Sequence, residues 1–107
     1  MELMKYNLYI SAEGLEKHLM RLTNQIYKLL PSREEGLDWE RPLEAIIEEL
    51  AGLNSLMENK CEESFLPLCS KLEGLFTLTK DTDFLLFRST IFKCLGLMGD
   101  INNYVKS

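Results

Sequence analysis

One histidine, one tryptophan, one valine and three cysteines in 107 residues exclude several kinds of protein. The lone histidine, His18, has no Cys-x-x-Cys or Glu-x-x-His pair to join it, so zinc and di-iron centres lack a ligand set. The expectation is no metal and no cofactor. Cys61, Cys69 and Cys94 are odd in number, widely spaced and set among leucines; they read as reduced core thiols of a cytoplasmic protein and not as a disulfide framework. A cysteine nucleophile would have only His18 as its base, which argues against covalent catalysis. Isolated glycines form neither a Gly-x-Gly-x-x-Gly turn nor a Walker-type loop, so nucleotide binding has no support. No enzyme is expected.

Long apolar runs are also missing. Phe84-Leu85-Leu86-Phe87 falls far short of the roughly 20 residues that span a bilayer, and Met1–Asn7 lacks the basic region and apolar core of an export signal. A membrane role is therefore not expected. Basic residues are outnumbered 17 to 12, giving a net charge of −5, and sequence-independent grip on nucleic acid depends on cations that release counterions. Direct nucleic-acid binding is not expected either.

Leucine fills the chain instead, at 21 of 107 positions. Leucine favours helix and β-branched residues favour strand, so the composition leans to an all-α domain. Leu8, Ala12, Leu15, Leu19, Leu22, Ile26 and Leu29 alternate steps of four and three, which is one helical stripe. The same rhythm recurs in Trp39, Leu43, Ile46, Ile47, Leu50, Leu53 and Met57, then in Phe65, Leu68, Cys69, Leu72, Leu75 and Phe76. It returns in Phe84, Phe87, Ile91, Leu95, Met98, Ile101 and Val105. Helices over about 11–30, 38–58, 62–79 and 83–105 follow, in one domain of residues 1–107. Residues 5–10 read as an extension of the first helix, with Ser11 as an alternative N-cap. Pro31 ends that helix at Leu30 in this reading, and Asp38 caps the next. Short connections force neighbouring helices antiparallel, so the expected fold is a small antiparallel four-helix bundle.

Gly52, Gly74 and Gly96 recur at a spacing of 22, each followed by leucine. A mid-helix glycine costs about 1 kcal/mol relative to alanine. At least one is therefore expected where a larger side chain would clash.

The charge is unevenly placed. Between Glu34 and Glu63 ten acidic residues face only Arg41 and Lys60, a local balance of −8, which leaves +3 for the remainder of the chain. Glu40, Glu44 and Glu48 follow one another at i, i+4 opposite the leucines, an arrangement that costs about 0.2–0.5 kcal/mol per pair. A solvated face is one reading. The other is an anionic strip, Glu40, Glu44, Glu48 and Glu49 with Glu34 and Glu35 nearby, that docks on a basic partner surface. Tyr6, Tyr9, Tyr27, Trp39 and Tyr104 form a second candidate surface, although Trp39 equally suits a cap over the end of the bundle. His18, one position off the stripe, reads as a boundary residue.

Lys5-Tyr6-Asn7-Leu8-Tyr9-Ile10-Ser11, Leu30-Pro31-Ser32-Arg33-Glu34-Glu35-Gly36-Leu37-Asp38-Trp39 and Leu95-Gly96-Leu97-Met98 resemble segments of small helical proteins encoded on phages and mobile elements of Gram-positive bacteria. What that resemblance implies is a class that works by binding, as inhibitors or adaptors, anti-CRISPR proteins among them. The expected function is accordingly a non-enzymatic protein-binding module whose acidic helix face meets a basic surface of a nucleic-acid-binding host or defence protein. The alternative is an accessory protein that completes a homodimer or larger helical bundle.

Overall fold

A computed structural model describes the backbone of residues 2–5 and 8–106, and the side chains from residue 13 to 106. Its helices are α1 (Ala12–Glu34), α2 (Glu40–Leu56), α3 (Glu62–Gly74) and α4 (Phe84–Lys106). α1 touches α2 and α4, and α3 touches the same two, so the four helices close a ring around one core. The domain measures 45 × 21 × 18 Å, and the fold is the all-α four-helix bundle that the periodicity predicts.

The stripes explain the core residue by residue. Leu15, Leu19, Leu22, Ile26 and Leu29 of α1 meet Leu43, Ile46, Leu50 and Leu53 of α2, Phe65, Leu68 and Leu72 of α3, and Phe87, Ile91, Met98, Ile101 and Val105 of α4, all buried. Cys94 joins them with no exposure, so the centre of α4 runs through it while Leu95 is only partly buried. No charged or polar residue is buried as a whole among the described residues, but the side-chain oxygens of Asn54 and Asn102 are shielded from solvent without a hydrogen-bond partner, a desolvation cost that the fold bears.

Four details depart from the sequence reading. Residues 5–10 do not extend α1: β1 (Glu2–Lys5) and β2 (Leu8–Ser11) pair antiparallel, with Leu3 opposite Ile10 and Met4 opposite Tyr9. The aromatic and β-branched pair Tyr9-Ile10 favours strand, and the preceding segment supplies the partner that a lone strand lacks. Residues 6 and 7, and the side chains of Leu8 and Ala12, lie outside the described residues.

Second, Pro31 does not stop α1. A proline in the last turn forfeits only its own amide bond, and its carbonyl still accepts from Glu35 N at 2.9 Å. The stop is Gly36, at φ +73°, with Leu37 N bonded to Ser32 O at 2.8 Å and Gly36 N to Arg33 O at 3.2 Å. That is a Schellman closure around a left-handed residue.

Third, α3 gives way after Gly74 to a single 3₁₀ turn, Leu75–Thr77, so the helix expected to reach residue 79 tightens near its end. Fourth, a Cβ built on Gly52, Gly74, Gly96 or Gly99 meets nothing within 4 Å; the clash expected at one of them is absent, and the periodic glycines are open on their outer side.

Asp38 behaves nearly as expected. Its carboxylate accepts from the amides of Glu40 (3.1 Å) and Arg41 (3.2 Å), satisfying two of the free donors at the start of α2, although Trp39 occupies the cap position itself.

The end of α2 repeats the Schellman pattern at higher cost. Asn59 N bonds Asn54 O and Glu58 N bonds Ser55 O, both at 3.0 Å, with Glu58 at φ 56° and Asn59 at φ 60°. Left-handed backbone costs a residue with a Cβ about 1–2 kcal/mol. Two substitutions test this description of the exposed backbone. Glu58→Gly and Gly52→Ala should each stabilise the domain by about 1 kcal/mol, raising the melting temperature by about 4–8 °C. Loss of stability in Glu58→Gly would mean that the α2–α3 turn is closed differently.

Candidate functional site

The acidic residues of α2 divide into two groups according to the side of the helix on which they fall. Glu49 points toward α1, where its Oε2 accepts from the Arg21 guanidinium at 2.9 Å and lies 3.6 Å from His18 Nε2. Arg21 also lies 2.9 Å from His18 Nδ1, so His18 sits at the helix boundary as its sequence position predicts. The three side chains are between a third and a half exposed, and a pair so placed contributes at most about 1 kcal/mol. Glu49 is thus engaged in joining α1 to α2.

Glu40, Glu44 and Glu48 are exposed, and no ion pair involves them among the described residues. Successive members stand about 6 Å apart along the axis. The nearest cation in sequence, Arg41, turns instead to Asp38, its Nε at 3.7 Å from the carboxylate. The strip therefore has no paired cation among the described residues. Glu34 and Glu35 do not join it: Glu34 lines the groove between α1 and α4, and Glu35 lies exposed in the α1–α2 connection.

Trp39 caps the bundle. It is 9% exposed, its ring stacked on Phe76 at 6.4 Å and edge-on to Phe87 at 5.1 Å. Beside it the Arg33 guanidinium lies 4.8 Å from the Phe87 ring centroid and 5.4 Å from that of Phe84, while donating to the carbonyls of Leu78 and Lys80, both at 2.8 Å. This clamp fastens the end of α1 to the α3–α4 connection. Sequence reasoning missed Arg33, because its partners lie 45 and 47 residues away and no spacing rule connects them.

Tyr27 and Tyr104 do not share a surface. Tyr27 lines the α1/α4 groove and Tyr104 a different groove, with Asp100 and Glu63. Tyr6 lies outside the described residues, as does the side chain of Tyr9. Among the described residues no group of three His, Cys, Asp or Glu is placed to hold a metal ion, and no helix is long and apolar enough to cross a membrane. The chain matches no protein-family model, and neither the curated proteins nor the solved structures include one detectably similar to it.

All three thiols are free. Burial raises the pKa of each. For Cys94 the rise reaches about 12, opposed in part by Lys71, and for Cys69 the charge of Glu73 adds to burial. The thiolate is the reactive form, so a rise from 9.0 to about 12 lowers the reactive fraction of Cys94 at pH 8 about a thousandfold. In the native protein iodoacetamide should label Cys69 well before Cys94, read by peptide mass spectrometry. Equal rates would show that the core opens at α4.

Proposed function

We propose that this chain works by binding and not by catalysis: the outer face of α2, carrying Glu40, Glu44 and Glu48, docks on a basic surface of another protein. The observation that supports the reading is the contrast along one helix. Glu49 has Arg21 and His18 as partners, whereas the three carboxylates beside it repel one another while Arg41 is held by Asp38. Folding gains nothing from that arrangement, but a cationic partner would gain both steering and register from charges repeated every 6 Å or so.

Basic protein surfaces of this kind serve to hold nucleic acid. The partner in this proposal is a nucleic-acid-binding host or defence protein, which the chain occupies as an inhibitor or adaptor. The resemblance to mobile-element proteins, with anti-CRISPR inhibitors among them, supports that version, and the three free thiols suit a reducing cytoplasm.

The test pairs folding with binding. Glu44→Lys combined with Glu48→Lys should keep the circular dichroism spectrum and melting temperature, or raise the latter slightly by relieving repulsion with Glu40. The dissociation constant for a partner captured at low salt should weaken at least tenfold, and wild-type binding should fall steeply between about 0.05 and 0.5 M salt. An unchanged constant would remove the strip from the mechanism.

A further inference from the structure

The face that α1 and α4 share carries an unusual load of exposed apolar side chains. Met20 and Tyr27 on α1 are 64% and 54% exposed, and Leu85 and Phe92 on α4 are 76% and 47% exposed. Tyr27, Leu30, Pro31 and Glu34 line one wall of a groove of about 450 Å³, and Phe84, Arg88 and Phe92 line the other. In antiparallel helices Tyr27 and Phe92 thus fall at the same end of the groove, away from Glu34 and Phe84. α1 and α4 run antiparallel at equal rise, so seven residues, two turns along each, set Met20 level with Gly99, and the turn between sets Thr23 level with Gly96. Both glycines are open on their outer side. Met20 therefore projects from α1 where α4 leaves a gap at the same height.

The charges follow the same division. On this face α1 contributes Glu16 and Glu34, with Glu13 holding Lys17 at 3.4 Å, while α4 contributes Arg88, whose guanidinium lies 5.5 Å from the Phe92 ring centroid, and Lys106 near its end. Among the described residues no ion pair joins Glu34 to Arg88.

We infer that this face receives a second copy of the chain, in a two-fold dimer whose axis runs along the helices, so that α1 of each copy packs on α4 of the other. At equal height Met20 of one copy then enters the gap at Gly99 of its partner, Tyr27 meets Phe92, and Glu34 lies within a turn of Arg88. Pairing α1 with α1 would instead oppose acid to acid. Two helices of 23 residues offer a face about 34 Å long and 20 Å wide, about 700 Å² per copy, close to the ~800 Å² of ordinary stable interfaces. Neither strip on α2 takes part, so the dimer presents both of them, and this inference does not depend on the reading of α2.

Sedimentation equilibrium of the full chain up to about 200 µM should show a monomer–dimer equilibrium. Gly99→Leu should keep the fold, because a Cβ there meets nothing within 4 Å and leucine favours helix over glycine, and should weaken the dimer at least tenfold; a merely adhesive surface would associate more strongly with the added leucine. Arg88→Glu should weaken the dimer, and combining it with Glu34→Arg should restore it. Glu44→Lys with Glu48→Lys should leave it unchanged. A monomer at every concentration, or a dimer that Gly99→Leu leaves unchanged or tightens, would overturn the inference.

Discussion

Four apolar stripes of matched length must be taken out of water together, and the rest of the molecule follows from that constraint. An isolated amphipathic helix of this length is marginal in water. Each helix here gains its stability from a side facing the other three, with a leucine, isoleucine, phenylalanine or methionine at nearly every turn. The core residues themselves are apolar, and the two amide oxygens shielded beside them, of Asn54 and Asn102, have no hydrogen-bond partner, so among the described residues no buried polar pair sets the register. Specificity has to come from the ends. At one end the Arg33 guanidinium draws the α3–α4 connection onto α1 and covers the rings of Phe84 and Phe87, with Trp39 filling the adjacent space. Registry between α1 and the α3–α4 hairpin is therefore fixed by one side chain that α1 carries in its last turn.

The legible part of the fold was the part governed by period. Leu15 to Leu29, Leu43 to Met57 and Phe87 to Val105 occupy the core because spacing of three and four residues dictates it. What escaped depended on chain reversal or on distant partners. Pro31 looked like a stop, but a proline in a final turn costs one bond, and Gly36 at φ +73° is what closes the helix. Leu8 fits the α1 stripe, yet its segment pairs with Glu2–Lys5, a tertiary preference that no single-segment pattern contains. The periodic glycines suggested tight helix contacts inside the bundle, and their outer sides are open instead. Of the candidate site, the collinearity of Glu40, Glu44 and Glu48 was readable from i, i+4 spacing. The distinct position of Glu49, one residue further, was not, because it depends on Arg21 and His18 of another helix.

The resulting picture separates three duties among surfaces that lie close together. The α1/α2 seam uses Glu49 for structure, the outer face of α2 carries charge that folding does not require, and the α1/α4 face exposes apolar bulk beside open glycines. Such a division leaves the outer faces free to vary without weakening the core, since substitutions there leave the stripes intact.

Neighbouring carboxylates on α2 act on stability with opposite sign. Melting temperatures of Glu49→Gln and of Glu44→Gln combined with Glu48→Gln, measured at low salt, test it directly. Removing Glu49 should lower the melting temperature by a few degrees, since up to about 1 kcal/mol is lost with Arg21. Neutralising Glu44 and Glu48 should raise it, by relieving two repulsive pairs worth about 0.2–0.5 kcal/mol each. Shifts of the same sign in both would contradict the division of roles along α2.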